Sequence, residues 1–278
     1  MTQPSCLPTD FKCRMSRRVG PAVPPERTWN LAFVGISSLL FAISVALTIT
    51  SCASMPAMRG MPMPGGWTMS MMWMRMPGQT WVEAAASFLA MWLVMMAAMM
   101  LPSHVPVLWR YRQALRSRGE SRAGRLTLVA GIGYFFVWAL FGLVAFPIGA
   151  VLAKVEMERA ILARAVPVTV GTLILIAGAL QFTRWKAHHL ARCRNMPADG
   201  RTAWRQGMQF GFHCGVSCAN LTAILLAVGV MDLGAMTLVS AAITAERLTP
   251  SGERVAQAIG AVAIVSGLLL ITRVIALR

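Results

Sequence analysis

The sequence predicts an all-α fold, a polytopic transmembrane helix bundle of about seven spans, and three observations carry that prediction. Hydrophobic residues fill 56% of the 278 positions and charged residues only 13%. Apolar runs of about 20 residues, the length that crosses hydrocarbon, recur from residue 31 onward. The basic residues behind the net charge of +16 fall between those runs. In a soluble domain such a surplus would suggest nucleic acid. Between spans it reports helix orientation, and no nucleic-acid partner is expected. The chain has no solenoid-period repeat and no phosphate-binding glycine loop.

Residues 1–30 are Pro-rich and basic, which reads as a disordered cytoplasmic arm, with Cys6 and Cys13 as incidental thiols rather than a metal pair. Residues 31–278 form the transmembrane domain. The first span covers about 31–51. Its end, Ile49-Thr50-Ser51-Cys52, resembles a lipoprotein cleavage box, but the run starts too late and is too long for a signal peptide, so an anchor helix is expected. Residues 53–83 form an outer loop holding Met55, Met58, Met61, Met63, Met69, Met71, Met72, Met74 and Met76. Pro and Gly break regular helix through most of it. The second span is 84–109. The basic loop 110–125, a third span at 126–152 and a short charge-mixed loop follow. The fourth span, 166–183, leads to a second basic loop, 184–207, with His188, His189 and Cys193. The fifth span is 208–230. Asp232 caps a tight turn. The sixth span runs to about Leu248, where Glu246 reads as a helix-end charge paired with Arg247 or Arg254, and the seventh is 255–272.

Charge tests this layout. With the N-terminus inside and seven alternating spans, inner segments hold 19 of the 26 Lys and Arg, and outer segments hold 7. That bias places the N-terminus in the cytoplasm and the methionine loop outside, with the helices in contact with lipid. The sixth span is the short one, and if it fails to cross there are six spans and the C-terminus is inside.

The chemistry lies in sulfur. On the second span Met91, Met95 and Met99 fall at i, i+4, i+8, and Met96, Met100 and His104 repeat that spacing on a neighbouring stripe if the helix survives Pro102. Thioethers suit Cu(I) and imidazole suits copper or zinc, while methionine is equally an adaptable filler of helix contacts. The outer loop is read as solvated, and a solvated loop has no packing reason for so many methionines, so the filler reading fails there. There Met69, Met71, Met72, Met74 and Met76 are expected to gather a soft ion. A membrane-interface segment anchored by Trp67, Trp73 and Trp81 is the rival reading. The fifth span holds the second cluster: His213 beside Cys214, with Cys218 one turn further on the same face. Cys-x-x-x-Cys is poor disulfide geometry and acceptable metal geometry. Counted from the inner boundary, Met100 lies at about 12 Å, Cys214 at about 9 Å and Cys218 at about 15 Å, so the two clusters share a depth.

At MWLVMMAAMMLPS (91–103), CGVSCANL (214–221) and the GVMDL…ERLTP run (229–250), the chain resembles a bacterial family of metal-binding integral membrane proteins, some of whose members are labelled copper chaperones. The resemblance covers roughly 55–275. It implies a membrane bundle and metal binding, and no established reaction. Many members carry a further Cys beside the second cysteine, followed by Trp. Here those positions are Ser217 and Ala219, which shifts weight to His213 and the methionines.

The expected function is therefore copper(I) handling without catalysis. Copper would pass from the outer loop to an intramembrane Met/Cys/His site and on to a recipient copper enzyme or periplasmic metallochaperone. Two alternatives stand beside it: a membrane thiol or copper oxidoreductase using Cys214 and Cys218, and a structural or assembly subunit whose sulfurs only pack.

Overall fold

In the computed structural model, Thr80 starts the central helix with a reciprocal cap. Its side chain accepts from the Glu83 backbone N–H at 3.2 Å, and the Glu83 carboxylate accepts from the Thr80 N–H at 2.8 Å. The structure describes residues 26–54, 61–63, 67–69, 71–75, 78–194, 196, 202–230 and 232–276. They divide into two units. Residues 1–36 contribute the first turns of α1 (Glu26–Ser54), and residues 37–278 hold every other element.

The element order after α1 is a hairpin of β1 (Met61–Met63) and β2 (Trp67–Met69), a 3-10 turn at Met71–Trp73, α2 (Trp81–Ser117), α3 (Ala123–Glu158), α4 (Ala160–Leu180), α5 (Arg184–Arg192), α6 (Ala203–Val228), α7 (Leu233–Leu248) and α8 (Gly252–Ala276). The strands pair antiparallel with Met61 opposite Met69. The helix bundle expected from the sequence is present. The later part of α1 has the inverted pattern of a lipid-facing helix: Leu39, Leu40, Ile43 and Leu47 are exposed, whereas polar Ser44 and Thr48 are buried.

Helix α2 survives both Pro102 and Pro106 and runs 37 residues, about 55 Å at helical rise. Neighbouring helices make such prolines tolerable in a bundle. Its last turns carry the basic stretch that the sequence reads as loop. The true turn is short. Gly119, at φ 79°, donates to Arg116 O at 2.9 Å, and Glu120 donates to Leu115 O at 3.1 Å.

Six helices, α1, α2, α3, α4, α6 and α8, are long and apolar enough to cross a membrane. At 16 residues α7 spans only about 24 Å. It nevertheless traverses the bundle. Met236 near its start shares a cavity with Met95, Ser240 donates to Met99 O at 3.1 Å, and Arg247 near its end reaches Ser103 at 3.0 Å. So α7 runs parallel to α2, and short length is tolerated because much of it faces protein. Helix α8 then returns antiparallel to α4, with Gly260 against Gly178 and Gly267 against Gly171.

Helices α3 and α6 run parallel and in near-backbone contact. A Cβ on Gly207 would collide with the Ala130 carbonyl, and one on Gly133 would meet Trp204 O at 2.7 Å. This close approach sets the height at which α3 side chains meet α6.

Candidate metal centre

The Gly211 face of α6 abuts the backbone of Tyr134 on α3. One turn on, Cys214 is fully buried, and Tyr134 OH lies 2.8 Å from its sulfur. Cys218 follows on the same face and is equally enclosed. The two thiols converge on one group. Arg247 Nη2 donates to Cys214 Sγ at 2.6 Å and to Cys218 Sγ at 2.8 Å, and Nη1 donates to Ser103 Oγ on α2 at 3.0 Å. A single guanidinium thus ties α2, α6 and α7 together, a use of its fork geometry that an ammonium could not copy.

A second buried cation supports the first. Lys186 on α5 forms an ion pair with Glu246 at 2.9 Å and donates to Ser217 O at 2.5 Å. Gln181 donates to the other carboxylate oxygen of Glu246 at 2.9 Å. The helix-end pairing of Glu246 with Arg247 or Arg254 expected from sequence is therefore corrected. Neighbours along α7 point to different sides, so Glu246 meets α5 while Arg247 meets the thiols. Arg194 closes the same end by donating to the carbonyls of Glu246, Thr249 and Pro250.

Sequence reasoning missed both Arg247 and Cys193 as parts of this site. Cys193, at the end of α5, is buried in the same core cluster as Cys214 and Cys218. Burial pushes its thiol up to about 12, with Arg247 opposing and Cys218 adding to the rise. A third sulfur thus comes from α5, although the position next to Cys218 on α6 is Ser217. No local pattern betrays Cys193, because it enters only when α5 folds back against α6. Arg247 carried a signal: an arginine beside a glutamate at the end of an apolar run is costly unless paired.

Helix α2 packs into the same core. Met95, Met96, Met99 and Met100 belong to the core cluster that contains the thiols. One turn past Met100, His104 stacks on Tyr134 with ring centroids 3.9 Å apart. Its Nδ1 and Nε2 are both buried without a hydrogen-bond partner. Buried polar atoms are rarely left this way, so the bonding capacity of His104 is unspent beside Tyr134, which reaches Cys214.

Other expected ligands stand apart. His213 turns away from its neighbour Cys214, and its Nδ1 lies 2.9 Å from Nδ1 of His189. Adjacent residues on a helix point about 100° apart, so His213 and the thiols cannot share a face. Met91 is only partly buried and belongs to the loop end of α2. The outer loop is not simply solvated. Met72 is buried in the main core, and Met63 packs with Ala153 and Ala163, with Trp67, Trp73 and Met74 against it. Trp67 Nε1 also donates to Ala163 O at 2.9 Å. Burial gives Met63 and Met72 a packing role. Met69 ends β2 and Met71 opens the 3-10 turn, while Met76, Met55 and Met58 lie outside the described residues, as do Cys6 and Cys13. Among the described residues, no group of three or more His, Cys, Asp or Glu is arranged to hold a metal ion.

Fold and site together define a multi-pass helical membrane protein whose interior gathers soft donors around a buried positive charge. The sequence model of the PpoB2 copper chaperone family matches residues 89–270, well over half of the chain. The chain belongs to that family. No curated protein and no solved structure matches it.

Proposed function

We propose that this protein carries copper(I), as cargo, within the bacterial inner membrane, from its methionine-bearing outer end to the Cys214–Cys218 site, and hands it to a recipient copper protein. It does so without catalysing a reaction. The observation that carries this reading is the convergence of two enclosed thiols on one guanidinium, with the unpartnered His104 alongside. Thiols release their protons when they take a metal. A copper(I) ion held by two thiolates bears one net negative charge, which Arg247 neutralises. That balance lets the unit form in an apolar interior, where an uncompensated charge is expensive.

Copper(I) prefers soft ligands, and the thioethers of α2 provide a graded approach. Met91, Met95 and Met99 are spaced one turn apart, about 6 Å of rise per step. Thioethers are neutral and bind weakly, so the ion exchanges along them, and thiolates hold it more tightly at the end. The bias of Lys and Arg toward the 110–125 and 184–207 segments supports a cytoplasmic N-terminus and puts the thiol site in the inner half.

The test is copper(I) titration of the purified full chain beside a Cys214→Ser, Cys218→Ser variant, with alkylation of Cys214 followed in parallel. Copper(I) should protect Cys214, and the double variant should lose the tight-binding equivalent. Unchanged stoichiometry and affinity in that variant would refute the reading.

A further inference from the structure

We propose a second, independent copper(I) site at the loop end of α2, formed by Cys52 of α1, Met91 and Met95 of α2, and Met236 of α7. It rests on the reading that copper(I) is the cargo. These residues line one cavity of about 250 Å³. Four of its nine lining residues carry sulfur, and none carries a charge. A second cavity, beside Val137 and Phe212, has a single sulfur among its seven lining residues. Thioethers as mere filler give no reason for three helices to bring sulfur to one void. Leucine would close it with better-defined rotamers.

The donor set fits a soft monovalent ion and little else. Three thioethers and one thiol offer no hard oxygen charge for calcium or magnesium and no imidazole for zinc. Thr48 and Ser51 add only hydroxyls, and the Thr48 hydroxyl is already spent on Ser44 O at 2.8 Å. On binding, the Cys52 proton leaves to solvent and the thiolate takes the ion, so the loaded cavity is neutral without any arginine. Met95 lies eight residues before Ser103, about 12 Å along α2, so this site and the Arg247-linked thiols are distinct. It would serve as the entry station from which the ion moves to Met99.

The test is alkylation of Cys52 in the purified full chain, read by mass spectrometry, with copper(I) added alone under anaerobic reductant. The chains compared are the native one, a Met91→Leu, Met95→Leu, Met236→Leu variant, and the Cys214→Ser, Cys218→Ser variant. Leucine keeps the apolar volume close to that of methionine. Copper(I) should protect Cys52 in the native chain and equally in the double-serine variant. The concentration for half protection should rise at least tenfold in the triple-leucine variant, while protection of Cys214 there persists and reports an intact fold. Absence of protection at Cys52, or protection indifferent to the leucines, would overturn the proposal. Loss of protection at Cys214 alone would instead count against the inner site and leave this one standing.

Discussion

At the loop end of α2, Met91 and Met95 face a cavity with no charged lining residue. About two turns further, Met99 and Met100 lie in the core that holds the Arg247-linked thiols, while Lys186 and Glu246 pair behind them. The same side chain serves in both places, and the surroundings differ in charge rather than in softness. A neutral shell can hold a neutral copper–thiolate unit weakly. A shell with a built-in cation can hold an anionic bis-thiolate unit firmly. On the proposed copper(I) reading, direction along the helix would follow from electrostatics.

Removing the thiols breaks this contrast most sharply. The Cys214→Ser, Cys218→Ser variant should lose affinity for copper(I) by about 10⁴-fold, some 5.5 kcal/mol, in competition with a colorimetric chelator. Met91→Leu with Met95→Leu should cost about tenfold or less by the same assay. Equal losses would erase the distinction between the two ends.

Next comes the ion pair behind the site. Lys186 and Glu246 are almost wholly enclosed, with side-chain exposures of 3% and 1%. Lys186→Met alone leaves a buried carboxylate and should destabilise the protein by about 3–5 kcal/mol, read as a lower thermal midpoint in detergent. Lys186→Met with Glu246→Leu should recover most of that loss, because the pair vanishes together.

The loop end has a packing test instead. Met72→Ala should cost about 2–3 kcal/mol of stability, since the side chain is buried in the main core. Met72→Leu should be near neutral for stability. If it also leaves copper loading unchanged, Met72 is packing and not a ligand.

These contrasts show what the sequence could reveal. Span positions, the helix through Pro102, the buried Met96–Met100 face and the enclosed Cys214–Cys218 pair were all legible, because apolar length and helical spacing are local properties. The cap at Asp232 was legible for the same reason. Its side chain accepts from Ala235 N at 2.9 Å. The partners were not legible. Cys193 reaches the thiols only because α5 folds back onto α6, and Glu246 finds Lys186 across 60 residues of chain. The outer loop misled because solvent exposure was assumed from its prolines and glycines. A two-strand hairpin and a 3-10 turn instead fold Met63 and Met72 against the helices.

The smallest expected effect concerns His213, the residue whose sequence position was most suggestive. It adjoins Cys214, yet its ring faces His189 across 2.9 Å, on the side of α6 away from Arg247. His213→Ala should therefore leave copper(I) affinity unchanged within the assay and shift stability by no more than about 0.5 kcal/mol, as for a partly exposed group with one weak partner. His104→Ala has the opposite expectation. Its two unpartnered nitrogens lie beside Tyr134, which itself reaches Cys214, so its removal should weaken copper(I) binding at least tenfold. Comparing the two alanine variants in one titration asks whether adjacency in sequence or convergence in space selects the ligand. A loss confined to His213→Ala would require α6 to rotate by about 100° when copper binds, which the close backbone contact at Gly207 and Gly133 opposes.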